Sequence, residues 1–270
     1  MGASFKISDL FSLDTLFPPA PDCLFCRQAI TLGGAGRLGL CRRCLRAIET
    51  SRMGLARCNR CGKYVQAEGR CVDCRLREPC FLQAWSIGPY EGLLRQCVHD
   101  LKYQGFRGVA RPLGRLMAER LWDHVPGNSW HSAWGELKAA VLTPIPLHPE
   151  KLYRRNFNQA QLLAEAVADA TGFPVADLLG RREDRTAQAR LSRQERLRNL
   201  RGQFFVQAPP EGDERQENPL KSSLLASPSA VILVDDVYTT GATVQEAAQT
   251  LQQWGVRQVY ALTAAAGMGV

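Results

Sequence analysis

Val231-Ile232-Leu233-Val234-Asp235-Asp236-Val237-Tyr238-Thr239-Thr240-Gly241-Ala242-Thr243 is the stretch on which the fold turns. Four consecutive aliphatic residues read as a strand buried on both faces, the kind that lies inside a parallel sheet. The strand runs into two acids, a hydroxyl-rich turn with a glycine, and a helix from Ala242 to Trp254. Val244, Ala247, Ala248 and Leu251 share one face of that helix, and Gly255 ends it. Val256 to Thr263 then reads as another strand. Upstream, Ala139 to Pro146 is a further apolar strand, and a helix from about Asn158, through Leu162, Ala166 and Val167, stops at Gly172. Gly92 to Tyr103 and Val109 to Val125 carry helical spacing too. Strand, helix, strand in this order predicts an α/β fold with a doubly wound parallel sheet.

Open α/β sheets bind ligands beyond the carboxyl ends of their strands, which is where this sequence puts its chemistry. Adjacent carboxylates at a strand end point to opposite sides, so Asp235 and Asp236 suit the two hydroxyls of a ribose better than one pinched metal ion. Behind them Thr239, Thr240, Gly241, Ala242 and Thr243 offer backbone N–H groups, three hydroxyls and a helix N-terminus, with Gly241 allowing close approach. Together these make a phosphate cradle. The plainer reading is a turn and a helix cap. Arg154 and Arg155 follow the strand at 139–146 and suit a pyrophosphate, because a guanidinium fork binds oxygens bidentately; the alternative is a solvated helix start. Lys102 and Tyr103 either close over a ligand or face solvent.

Eight of the ten cysteines form four CxxC pairs before residue 75: Cys23/Cys26, Cys41/Cys44, Cys58/Cys61 and Cys71/Cys74. Two residues between thiolates let both sulfurs of one turn reach a single ion, and two turns complete a tetrahedron. Two structural zinc sites follow, paired either sequentially or cross-braced. Four all-thiolate pairs in a Gly- and Arg-rich segment fit neither a thioredoxin-type redox pair nor, in a chain without an export signal, a disulfide framework. Between Cys23 and Arg77 the basic residues far outnumber Glu49, Glu68 and Asp73. They either contact nucleic acid or offset the thiolates and keep a core-poor module soluble. Gly34-Ala-Gly36-Arg-Leu-Gly39 matches a dinucleotide fingerprint only in letters, since it lies between two knuckles and not between a strand and a helix. Cys80 and Cys97 read as buried apolar fillers.

Taken together, the loop at 231–243 resembles the phosphoribosyl pyrophosphate motif of type I phosphoribosyltransferases. The whole chain from about Cys23 is similar to the ComF (competence protein F, GntX-like) family. The carriers are the CxxC ribbons, Leu101-Lys102-Tyr103, Pro144-Ile-Pro-Leu-His148 with Arg155-Asn156-Phe157-Asn158-Gln159, the stretch from Arg185-Thr-x-x-Gln188 to Arg196-x-x-Asn199, and the acidic loop. Asn156 stands where the family usually has glycine. The resemblance implies that Asp235 and Asp236 hold the ribose 2′- and 3′-hydroxyls and that residues 239–243 wrap the 5′-phosphate. Pyrophosphate would sit with magnesium beyond Leu142 to Pro146, with Lys102, Arg154 and Arg155 as anion contacts. It also implies two units. Residues 1–80 would be a tail and double zinc ribbon, and 81–270 a phosphoribosyltransferase-like domain with a mobile, Pro-, Glu-, Gln- and Ser-rich insertion at 208–229.

The 270 residues carry 34 basic and 26 acidic side chains, a formal charge of +8, and eight arginines against three acids lie between Arg181 and Arg201. Such a block attracts anions, whether phosphates or a nucleic-acid backbone, or is simply solvated. No apolar run approaches the roughly 18–20 residues a membrane span needs. The first residues give no clean signal-peptide or myristoylation pattern, so cytoplasm is the expected address. The resemblance implies a role in DNA uptake, natural transformation or the use of imported DNA. Single-stranded DNA and a phosphoribosyl ligand would be bound, with helicase or recombination proteins as possible partners. The other reading is an active magnesium-dependent phosphoribosyltransferase on an unidentified nucleobase-like acceptor, with charge stabilisation in place of a covalent nucleophile. No residue presents itself as a catalytic group.

Overall fold

The computed structural model describes residues 21–31, 34, 36–122, 140–182, 202–207 and 228–269. The tail at 1–20, most of the Arg-rich stretch (183–201) and the insertion at 208–227 lie outside the described residues. In chain order the elements are α1 (Arg42–Ser51), β1 (Ala56–Arg57), β2 (Tyr64–Val65), α2 (Val72–Leu76), β3 (Gln83–Pro89), α3 (Gly92–Tyr103) and α4 (Ala110–Trp122). There follow β4 (Ala140–Pro144), α5 (Pro149–Arg155), α6 (Gln159–Thr171), β5 (Leu179–Arg181), β6 (Phe204–Val206), β7 (Ala230–Tyr238), α7 (Ala242–Trp254) and β8 (Gln258–Ala266).

Four strands form an all-parallel sheet in the order β3-β8-β7-β4. The strand at 231–234 is central, as its aliphatic run requires, and its side chains alternate between two cores. Ile232 and Val234 face one core with Leu142, Leu262, α3, α4 and α6. Val231 and Leu233 face the other with Val141, Val259, Ala261 and α7. Helices on both faces are what doubly wound means. The predicted limits of α3 and α7 agree with the structure, and α6 begins at an Asn158 cap and ends at left-handed Gly172.

Three elements escape the sequence reading. Strand β3 is interrupted by Gly88 and Pro89 yet nearly all buried, and it carries the edge of the sheet beside β8. Helix α5 buries none of its residues, so it has no apolar period to detect. The β5-β6 hairpin closes across the Arg-rich stretch, pairing Leu179–Arg181 with Phe204–Val206.

The cysteines pair sequentially: Cys23, Cys26, Cys41 and Cys44 form one group, and Cys58, Cys61, Cys71 and Cys74 the other. Cross-bracing is thereby excluded. Cys23 and Cys44 belong to the core of α3 and α4, whereas the second group belongs to the core of α7. The two ribbons therefore clasp the sheet's β3 edge from opposite faces. The second ribbon also seals that edge: Ala84 N–H donates to the Arg60 carbonyl at 2.9 Å. A Cβ on Gly62 would meet the Ala84 carbonyl oxygen at 2.5 Å, so only glycine lets the knuckle lie against the strand.

Candidate functional site

Strand β4 ends at Pro144, opposite Val234, while β7 continues four residues further alongside β8. Asp235 and Asp236 therefore lie beyond the end of β4, with β8 on one side and no paired strand on the other. Asp235 is half-buried and Asp236 buried, an alternation that follows from the pleat. Asp236 N–H donates to Asp235 Oδ1 at 2.8 Å, fixing one carboxylate across the other. Burial and the Asp236 charge push the Asp235 carboxyl up to about 7.

Lys102 reaches this pair from the last turn of α3, its Nζ 2.6 Å from Asp236 Oδ1, with side chains 19% and 5% exposed. Burial works against the ammonium, but the Asp236 charge and hydrogen bond outweigh it and hold Lys102 above its ordinary range. Asp236 Oδ2 is buried and meets no hydrogen-bond donor among the described residues. A cation counted from sequence among the anion contacts thus sits on a carboxylate.

The turn that follows is built around Gly241, which adopts φ +76° and begins α7 with no side-chain cap. A Cβ there would fall 2.0 Å from Tyr238 Oη. Tyr238 therefore forms the floor of the turn, packed edge-on against Phe81 at 6.1 Å between centroids. Thr239 and Thr240 are exposed, Ala242 and Thr243 half-buried. Ala242 N–H donates weakly to Thr240 Oγ1 at 3.4 Å. The α7 N-terminus and the exposed hydroxyls of Thr239 and Thr240 are donors of the kind a phosphate requires.

The turn is wired to the second zinc ribbon. Gly267 N–H donates to the Tyr238 carbonyl at 2.8 Å, Tyr64 N–H to Gly267 at 3.3 Å, and Gly269 N–H to Tyr64 at 2.7 Å. Strand β2 of the ribbon thus extends the end of β8 beneath the cradle. Burial, and then the thiolates of Cys61 and Cys74, push the Tyr238 phenol upward.

Beyond β4 a cationic rim forms. Arg155 lies 5.1 Å over the Tyr103 ring and donates to Gln159 Oε1 at 3.0 Å. Arg154 is exposed. Partial burial, and then the charges of Arg181, Arg155 and Lys102, depress the Lys151 ammonium. Arg181 was read from sequence only as the start of an anion-attracting block, and Lys151 was not singled out; a charge-only scan of residues flanking the strand ends would have flagged it. Asn156 takes φ +58° at the α5 C-cap, a left-handed turn that asparagine tolerates. Asn158 caps α6 through Ala160 N–H and donates to the Ile145 carbonyl at 3.0 Å, tying the loop after β4 to that helix.

From this rim a row of cations on aromatic rings runs toward the first ribbon. Arg107 covers Phe157 and Arg27 covers Phe106, both at 4.5 Å, while His99 packs on Tyr103 at 4.9 Å. Arg27 also bonds Asp100 at 2.8 Å, and Arg37 pairs with Glu119, so the first ribbon is anchored to α3 and α4.

Both cysteine groups fit zinc. A tetrahedral ion with thiolates at about 2.3 Å needs sulfur–sulfur edges of about 3.8 Å. The structure has 3.8 Å for Cys23–Cys44 and Cys26–Cys41, and 3.6 Å for Cys61–Cys71. Although burial opposes it, backbone N–H groups bring Cys23 and Cys58 down to about 7, so each group holds a thiol poised to ionise. Cys97 is a buried filler pushed up to about 12 by its surroundings. Cys80 is not a filler: it is half-buried, and its Sγ accepts from Gln245 Nε2 at 2.7 Å on α7.

Comparison with known proteins agrees with this construction. A double zinc ribbon domain model matches residues 12–75. Competence protein F of Haemophilus influenzae is 28% identical over 239 residues, covering 88% of this chain and 93% of that protein. DNA utilization protein YhgH of Salmonella typhimurium matches with the same identity and coverage. Competence protein ComFC of Streptococcus pneumoniae is 27% identical over 222 residues, covering 82% of this chain and 84% of its own. Among solved structures, the allosteric regulatory enzyme of purine biosynthesis aligns at TM-score 0.36 and 16% identity, over 62% of this chain and 30% of that one, too loosely to build on. The similarity to the ComF proteins therefore runs along nearly the whole chain, as the motifs implied.

Proposed function

We propose that this protein acts in the uptake or use of imported DNA, binding single-stranded DNA on its arginine–aromatic row and a phosphoribosyl ligand at the Asp235–Asp236 turn. One observation carries the reading: Lys102 and Tyr103 are consecutive on α3, the first bonded to Asp236 and the second beneath Arg155. The two proposed ligand surfaces would thus begin at neighbouring residues of α3. The names of the relatives, competence protein and DNA utilization protein, point the same way.

The chemistry requires two ligands. Rings with arginine on their faces suit unpaired bases and the phosphates beside them. The acid pair, however, asks for neighbouring hydroxyls, and a deoxyribose in a DNA chain has none to give. Asp235 and Asp236 would therefore serve a ribosyl compound, the turn at 239–243 its 5′-phosphate, and Lys151, Arg154, Arg155 and Arg181 a pyrophosphate. Magnesium, when bound with that group beyond the end of β4, would screen its charge. The ribbons (1–80) and the sheet unit (81–270) would contribute to one surface, working in the cytoplasm, where unpaired imported strands and ribosyl phosphates are both found.

Two titrations test this. A fluorescein-labelled oligothymidylate followed by anisotropy should bind at low salt and dissociate as salt rises. Calorimetry with 5-phosphoribosyl 1-pyrophosphate and magnesium should show binding that is lost in Asp235→Ala/Asp236→Ala. Absence of strand binding at low ionic strength would sink the first half, and absence of calorimetric binding the second. Turnover with a nucleobase would favour the transferase reading.

A further inference from the structure

We propose that Lys102 is a built-in competitor for the sugar hydroxyls, so that the acid pair opens only to a ribosyl compound that also carries a pyrophosphate. The inference rests on the phosphoribosyl reading above and assigns a selectivity-determining residue within it.

The argument starts from acceptor bookkeeping. A ribose diol needs carboxylate oxygens, and at this turn two are engaged: Asp236 Oδ1 by Lys102 at 2.6 Å, and Asp235 Oδ1 by the Asp236 amide at 2.8 Å. Of the remaining two oxygens, the buried Oδ2 of Asp236 lies on the same carboxylate as the ammonium, which leaves Asp235 Oδ2 as one acceptor for two hydroxyls. A charge-assisted bond from an ammonium is roughly twice as strong as one from a neutral hydroxyl, so a bare diol does not displace Lys102. The backbone gives no slack either, because Leu101 and Val98 pin α3 fully inside the core. Only the side chain beyond Lys102 Cβ can move.

What moves it is an anion. Arg155 lies 5.1 Å over the ring of Tyr103, the residue that follows Lys102 on α3, so the cationic rim reaches the end of this helix. A pyrophosphate brought to this rim supplies a new partner for the Lys102 ammonium. The carboxylate freed by that exchange is then offered to the sugar hydroxyls of the same molecule. Ribose 5-phosphate has the diol and the 5′-phosphate but lacks the pyrophosphate that draws the lysine away.

The test is calorimetry with magnesium, using ribose 5-phosphate and 5-phosphoribosyl 1-pyrophosphate as separate titrants on the full chain, Lys102→Met and Lys102→Gln. In the parent protein the pyrophosphorylated sugar should bind far more tightly. Removing the ammonium should strengthen ribose 5-phosphate by about tenfold and weaken the pyrophosphorylated sugar by a similar factor, compressing the preference from both ends. Near-ultraviolet circular dichroism checks the fold, and Lys102→Gln, which removes the charge but keeps a polar end, carries the test should Lys102→Met not fold. If either folded variant binds ribose 5-phosphate no better than the parent, Lys102 is a ligand contact and the competitor role is wrong. If the parent binds neither sugar, the phosphoribosyl reading itself falls, and this inference with it.

Discussion

Gly241→Ala tests the architecture of the cradle most directly. Two separate costs are readable at this position. The first is conformational: φ is +76°, where an L residue with a Cβ loses roughly 1 kcal/mol or somewhat more. The second is steric, since the new methyl would lie 2.0 Å from Tyr238 Oη and 2.4 Å from its Cζ, distances that real atoms do not keep. The ring cannot swing aside freely, being wedged edge-on against Phe81 with its backbone carbonyl held by Gly267. Overpacking of this sort costs about 1–3 kcal/mol. The sum, about 2–4 kcal/mol, should appear as a lowered midpoint in urea at unchanged slope. A double-mutant cycle separates the parts: in a Tyr238→Leu background the clash is gone and only the backbone term remains, so alanine at 241 should cost about 1 kcal/mol there. Two results would refute the reasoning. One is a single substitution that is neutral within about 0.5 kcal/mol, and the other is a cost that is the same in both backgrounds.

Three further outcomes are expected. Because the Asp235 pKa is raised to about 7, its contribution to stability is complete below the ordinary carboxylate range and is lost as pH climbs through 7. Asp235→Asn should therefore gain thermal stability over the parent progressively between pH 5 and 8, and a gap in Tm that does not change with pH would count against the burial argument. Breaking the second zinc site by Cys74→Ala should abolish phosphate binding at the cradle, whereas Cys26→Ala in the first should leave it largely intact; equal losses measured with inorganic phosphate would disprove the link through Gly267 and Tyr64. Arg155→Ala should lower the log–log salt slope of oligothymidylate binding by about 0.7 per lost phosphate contact, and Tyr103→Ala should cost about 1–3 kcal/mol through lost base stacking; unchanged anisotropy titrations would move the strand off this row.

How much of this was legible depended on whether a feature is local. Strand β7, the acid pair and α7 could be read because an unbroken aliphatic run, a change to helical spacing and a terminal glycine all lie within 25 residues. Sequential cysteine grouping was one of two admissible answers, and geometry chose it. Strand β3 was not legible: Gln83 to Pro89 contains a glycine and a proline, and its burial depends on distant elements, the two ribbons and α4, that close over this edge. Nor could sequence show that Lys102 meets Asp236, more than 130 positions away. Tyr238 was quoted as part of the motif, yet its role as the floor beneath Gly241 depends on a side-chain direction that no spacing encodes.

The placement of the two ribbons explains why the chain needs metal at all. A segment as short as 21–80 has too little apolar surface to fold unaided, and thiolate-bound zinc ordinarily supplies the missing stability. Here each cluster does so inside a core that belongs to the sheet: Cys23 and Cys44 are packed with α3 and α4, the other four with α7 and Tyr238. Zinc at the first site would therefore hold Arg27 against Asp100 and Phe106, at one end of the arginine–aromatic row. Zinc at the second would hold Tyr238 in place under Gly241. A double ribbon that merely tethered a partner would have no reason to bury its ligands on opposite faces of a sheet.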